Sequence, residues 1–109
     1  MVEYRAPALD RTFAALANPT RRAIVRQLRR GSLTVSEVAA RHPMSLAAVS
    51  KHLDVLEDAG LVRRTRIGRE QRCSLAAEPL ASANAWIEDY RVFWQRQLSS
   101  LSAYMKRKR

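Results

Sequence analysis

Apolar residues recur at helical spacing in five stretches of this chain, and the rhythm changes in one place. Leu9, Phe13 and Leu16 predict a first helix over about Ala8 to Ala17. Asn18-Pro19 then reads as an N-cap followed by a residue with no amide proton to lose, opening a second helix that runs to Arg30. Its inner stripe is Ala23, Ile24 and Leu28, and Gly31 suits its C-terminal end. Thr34 followed three residues later by Glu37 is a capping box for a third helix, with Val38 and Ala39 inward and Pro43 beyond its end. Ser45 caps a fourth, in which Leu46, Val49, Leu53 and Leu56 form the inner stripe and Gly60 is the stop. After Gly60, Leu61–Arg66 and Glu70–Leu75 flank Ile67-Gly68-Arg69, the pattern of a β-hairpin. Pro79 opens a last helix to about Met105, with Leu80, Ala83, Ile87, Tyr90, Trp94, Leu98, Leu101 and Met105 on one stripe. Trp86, Phe93 and Tyr104 widen that stripe.

Two short helices around His42-Pro43-Met44, then a hairpin, then a long helix, spell a winged helix-turn-helix. The expected fold is mainly α, about five helices with one hairpin wing, as a single domain over residues 1–109. The helix-turn-helix spans about 34–59, the wing about 61–75 and the last helix about 79–105.

Charge narrows the partner. Lys plus Arg number 20 against 10 Asp plus Glu, a net charge of +10 on 109 residues. Such a surplus points to a polyanion, nucleic acid before membrane. At 47% apolar the chain is no disordered basic tail. One cysteine excludes a disulfide framework and a thiolate-clustered metal site within one chain. No run spans a bilayer, and Met1-Val2-Glu3-Tyr4-Arg5-Ala6-Pro7 has no apolar signal core, so the expected setting is the cytoplasm.

Projecting the fourth helix at about 100° per residue places Ala47, Ala48 and Lys51 opposite its inner stripe, with Ser50 and His52 at the flanks. Its N-terminal half offers small residues, hydroxyls and one cation; its C-terminal half offers Asp54, Glu57 and Asp58. That polarity suits a helix entering the major groove N-terminus first. Ala47 and Ala48 allow close approach, while Ser45, Ser50 and Lys51 can hydrogen-bond bases or phosphates. Arg63, Arg64, Arg66, Arg69 and Arg72 crowd the hairpin, where guanidinium groups suit phosphates or a narrow minor groove. The candidate DNA-binding set is Ser45, Ala47, Ala48, Ser50, Lys51, His52 and these five arginines. Arg21 and Arg22 sit in a first helical turn, where the dipole disfavours cations, so an ion pair with Asp54, Glu57 or Asp58 is expected, with phosphate contact the alternative.

Three blocks carry a family likeness: Ala15-Leu16-Ala17-Asn18-Pro19-Thr20-Arg21-Arg22-Ala23-Ile24; Val49-Ser50-Lys51-His52-Leu53 through Ala59-Gly60-Leu61-Val62; and Gly68-Arg69-Glu70. Together they resemble the ArsR/SmtB family of bacterial transcriptional repressors. Trp86 and Tyr90-Arg91-Val92-Phe93-Trp94 resemble a branch with a long C-terminal helix. The resemblance implies a homodimeric, autoregulatory repressor on an inverted-repeat operator, joined through its first and last helices. Metal-sensing members carry a cysteine pair on the first helix of the helix-turn-helix, or His and acid ligands on the last helix. Here Leu33-Thr34-Val35-Ser36-Glu37 has no cysteine and the last helix no histidine, so no metal and no cofactor is expected.

The apolar stripe agrees with a dimer on physical grounds. Four short helices and a hairpin cannot cover Trp86, Ile87, Tyr90, Phe93, Trp94, Leu98, Leu101 and Met105, and Leu9 and Phe13 of the first helix are expected to share that seam. Cys73 reads as a small packed residue; a thiol sensor assisted by Arg72 is the alternative. His42 and His52 alone make no metal site. No nucleophile is paired with a base at readable spacing, so an enzyme is not expected. A basic winged-helix module for RNA or a protein partner stays open beside the repressor.

Overall fold

A computed structural model describes residues 6–108; Met1–Arg5, part of the stretch without a signal core, and Arg109 lie outside the described residues. The elements in order are α1 (Ala6–Leu16), α2 (Pro19–Leu28), β1 (Leu33–Thr34), α3 (Val35–Ala39), α4 (Leu46–Asp58), β2 (Val62–Ile67), β3 (Glu70–Leu75), α5 (Glu78–Glu88) and α6 (Arg91–Arg107). This is the expected winged helix-turn-helix, mainly α.

Local chemistry starts and stops the helices where side chains satisfy orphan backbone groups. Asn18 Oδ1 accepts from the Arg21 amide, 3.0 Å away, and Pro19 leads α2. Thr34 and Glu37 complete the capping box of α3: Glu37 N donates to Thr34 Oγ1 at 3.1 Å and Thr34 N to Glu37 Oε1 at 2.8 Å. The second bond holds the Glu37 carboxyl below its ordinary pKa. Ser45 Oγ accepts from Ala48 N at the head of α4. At its foot, Leu61 N reaches Leu56 O and Gly60 N reaches Glu57 O, both at 2.9 Å, with Gly60 at φ 78°. These are the paired bonds of a Schellman cap, and they turn the chain into the wing.

The core joins α1, α2, α3, α4 and the sheet through buried Ala15, Ile24, Val38, Val49, Leu53, Leu56, Leu61 and Cys73. The sheet has three antiparallel strands ordered β1-β3-β2. In it Leu33 pairs with Cys73, and Val62 through Ile67 pair with Leu75 through Glu70. The hairpin loop is therefore two residues, Gly68-Arg69, rather than the three expected; Gly68 takes φ 63° and Arg69 stays at negative φ.

Two further expectations are corrected. Leu46 fits the inner stripe of α4 by period, yet it is 55% exposed while Val49, Leu53 and Leu56 are buried. The first turn of α4 stands clear of the core. The last helix is also not continuous. α5 ends in a tight turn at Asp89-Tyr90, where Tyr90 N bonds to Ile87 O at 3.0 Å, and Tyr90 at φ −104°, ψ 4° starts α6. Ring packing spans this break: Trp86 meets Phe13 of α1 edge-on at 5.8 Å and Tyr90 at 5.0 Å. Among the described residues this makes six helices where about five were expected.

α5 lies along α1, joined there by the Phe13–Trp86 contact, and its Ala83 is buried. No residue of α6 is buried. The radius of gyration is 18.2 Å, against about 13 Å for a compact domain of 100 residues. The excess reflects a terminal arm presenting Phe93, Trp94, Leu98, Leu101 and Met105 to solvent.

Candidate nucleic-acid interface

The exposed side of α4 divides by charge. Ser45, Ala47 and Lys51 are exposed and Ala48 and Ser50 partly so, at the N-terminal half. Asp54, Glu57 and Asp58 are exposed on the C-terminal half. Two of these acids are neutralised by the wing. Arg64 Nε and Nη2 lie 3.1 and 2.9 Å from Glu57 Oε1, and Nη2 also bonds to Asp54 Oδ1. Burial works against the Arg64 charge, but its bonds to Asp54 and Glu57 outweigh it and hold its pKa above the ordinary value.

Strand alternation explains this choice. Val62, Arg64 and Arg66 share the face of β2 that meets Leu75, Cys73 and Gln71 of β3. Near the core that face turns Arg64 inward, leaving its side chain 13% exposed. Two positions further toward the tip, Arg66 has left the core and is exposed. Arg63 and Arg72 belong to the opposite face. Arg63 lies 3.4 Å from Glu78 in a solvent-exposed pair, and Arg72 Nη1 reaches Ser32 O and Oγ. Arg66 and Arg69 have no side-chain partner among the described residues.

The expected ion pair of Arg21 or Arg22 with the α4 acids does not form. Arg21 Nε donates to Ala15 O at 2.7 Å and its Nη2 to Ala14 O at 3.3 Å. Arg22 Nη1 donates to Leu16 O at 2.8 Å. Both cations thus sit on backbone carbonyls at the negative end of α1, which offsets their awkward place in α2. Arg64 reaches the acids first because β2 lies beside α4.

His52 also faces the body of the domain. Its Nδ1 lies 3.3 Å from Arg21 Nη1 and so accepts the bond. Burial, with the Arg21 and His42 charges beside it, holds its pKa below the ordinary histidine value. A neutral, occupied ring is poorly placed for phosphate. His42 Nε2 and Gln27 Oε1 lie 2.6 Å apart, tying the turn before α4 to α2. Cys73 is fully buried. Burial pushes its thiol pKa up, and Arg64 rather than Arg72 is the cation opposing this. The exposed, electropositive setting of a reactive thiol is absent at Cys73, so the thiol-sensor alternative loses its physical basis.

The structure therefore assembles Ser45, Ala47, Ala48, Ser50 and Lys51 on α4 and leaves Arg66 and Arg69 unengaged on the wing. It diverts Arg64 and His52 to the protein itself. Two exposed apolar residues beside this surface escaped the sequence reading: Leu46 and, at the wing tip, Ile67, 58% exposed. Period alone assigned Leu46 to the core.

Comparison with known proteins agrees with this geometry. A helix-turn-helix domain model matches residues 16–65. The HTH-type transcriptional regulator Rv2034 of Mycobacterium tuberculosis is 42% identical over 99 residues, 91% of this chain and 88% of that protein. A crystal structure of an ArsR family transcriptional regulator superposes with TM-score 0.76 at 39% identity, covering 83% of this chain and 93% of the other. The chain belongs to the ArsR family of transcriptional regulators. A further neighbour is the homodimeric winged helix-turn-helix DNA-binding domain, fragment 1–100, of Mb0332 from Mycobacterium bovis, described as a possible ArsR-family regulator, with TM-score 0.68, 29% identity and coverage of 83% and 86%. As an ArsR-family regulator, the chain works through a DNA-binding helix-turn-helix and is not an enzyme. Among the described residues, this member gathers no group of three His, Cys, Asp or Glu side chains suited to a metal ion. No described helix is long and apolar enough to cross a membrane.

Proposed function

We propose that this chain is a homodimeric repressor that binds an inverted-repeat operator, acts in the cytoplasm on its own promoter, and is not released by metal ions. The observation that carries the reading is the division of charge on α4 and the wing. Two of the three acids that would repel phosphate, Asp54 and Glu57, are bonded by Arg64, while Lys51, Arg66 and Arg69 have no side-chain partner among the described residues. On this reading Ser45, Ala47, Ala48, Ser50 and Lys51 enter the major groove. Arg66 and Arg69 meet phosphates or the adjoining minor groove, with Arg63 and Arg72 at the margin.

The dimer seam in this proposal is Leu9, Phe13, Trp86, Ile87 and Tyr90, continued by Phe93, Trp94, Leu98, Leu101 and Met105. Burying several hundred Å² of that surface at about 25 cal/mol per Å² offsets the cost of association. The homodimeric Mb0332 domain supports a dimer, and the exposed apolar stripe supplies the surface for it. A two-fold axis there would set two α4 helices roughly one DNA turn apart, about 34–36 Å. Repression then needs no further machinery, because a dimer seated on a promoter excludes polymerase.

A footprint on the region upstream of the chain's own gene tests this. Two protected half-sites related by a dyad are expected. Protection without symmetry, or none, would overturn the proposal.

A further inference from the structure

Leu46 is a large aliphatic side chain, 55% exposed, on the first turn of the helix assigned to the major groove. Leu46, Ser50, Asp54 and Glu57 stand at i, i+4, i+8 and i+11, one line along α4. The lower two are bonded to Arg64 of the wing, so this line faces the wing. The upper two lie beyond that tie, towards the helix end where no acid sits. Next to Leu46, Ala47 and Ala48 carry no atoms past Cβ, so the backbone can come close to a groove floor. Leu46 itself can neither accept nor donate a hydrogen bond. Among the groups that base pairs present in the major groove, the thymine 5-methyl is the apolar one.

We infer that Leu46 packs on a thymine 5-methyl group in each half-site and so selects T·A at that position. The inference rests on the proposed placement of α4 in the groove and deepens it. An isolated exposed leucine elsewhere on the surface would carry no such meaning. Here it shares its line on the N-terminal half of α4 with Ser50, beside the face that bears Ala47 and Lys51.

The test uses the full-length protein and a duplex enriched by it from a random pool. Each thymine is replaced in turn by deoxyuridine, which removes the methyl group and keeps the pairing edge. One thymine per half-site should lose about fourfold in affinity on replacement, the effect of one buried carbon. Leu46→Ala should weaken binding to the thymine duplex and abolish the deoxyuridine penalty at that position alone. Leu46→Met, still apolar and able to reach, should retain it. Because Leu46 is exposed, both variants should melt and sediment as wild type does. Deoxyuridine penalties that are unchanged in Leu46→Ala would overturn the inference, as would a Leu46→Ala effect on self-association instead of on DNA. If the pool yields no enriched duplex, the proposed function itself fails. An enriched duplex with no methyl dependence overturns this inference only.

Discussion

Arg64 of the wing and Glu57 of α4 form a two-pronged bond, with Nε and Nη2 at 3.1 and 2.9 Å from one carboxylate oxygen. The bond ties the wing to α4 and, on the proposed reading, removes an acid from the DNA-facing charge balance. Asp54 shares the same guanidinium. Both acids are about half exposed, so the pair is screened and its contribution to stability is modest. Arg64→Met with Glu57→Gln, measured as a double-mutant cycle by chemical denaturation, should give a coupling of about 0.5–1 kcal/mol. Arg64→Met alone should weaken operator binding more than this, since it frees two carboxylates near phosphate. Unchanged DNA affinity would contradict the role given to the tie.

The wing arginines divide by partner. Arg66→Ala and Arg69→Ala should weaken specific and random duplexes alike, and each should lower the salt slope by about 1. Arg72→Ala, which removes only the bonds to Ser32, should have the smaller effect. Affinity measured between 50 and 200 mM salt separates these cases.

Lys51→Ala and Ser50→Ala should instead reduce discrimination. Each good base-reading hydrogen bond is worth roughly 1–3 kcal/mol, so either substitution should lower the ratio of operator to random-duplex affinity by about 5- to 150-fold. A retained ratio would move α4 out of the role assigned to it.

Helix caps and breakers were the legible part of the sequence. Thr34 with Glu37, Asn18 with Pro19, and Gly60 act within a few residues, so the chain spells them locally. β1 could not be read, because two residues become a strand only by pairing with Cys73 and Arg72 some forty positions away. The partner of Arg64 was hidden for the same reason: it depends on how β2 lies against α4. The acids at the end of α4 do need a cation, as their placement suggests, but Arg21 and Arg22 are drawn to the α1 carbonyls instead. The break at Asp89-Tyr90 has no proline or glycine to announce it and coincides with Tyr90 packing on Trp86. Leu46 fits the helical period, which says nothing about where a helix outruns its core.

Acid should unfold the protein in two distinguishable ways. His52 is harder to protonate folded than unfolded, so the unfolded chain takes up more protons as pH falls through the ordinary histidine range. Stability should therefore fall on going from pH 7 towards 5, and His52→Gln should flatten that slope. Glu37 has the depressed pKa of a bonded carboxylate, so its contribution is present above the ordinary glutamate range and lost as pH falls below it. Glu37→Gln should remove that lower step. Thermal melts from pH 3.5 to 7.5 check both.

Zinc, cadmium or arsenite should leave the operator complex intact, since no described cluster of ligands awaits them. A stoichiometric metal that changes DNA affinity tenfold would contradict this.

Sedimentation of the chain with and without a duplex carrying its footprint bears most directly on the dimeric repressor. A folded dimer at micromolar concentration and two chains per duplex are expected. Phe93→Asp with Trp94→Asp should abolish both the dimer and operator binding. A folded wild-type monomer that binds its duplex one-to-one would contradict the proposed assembly.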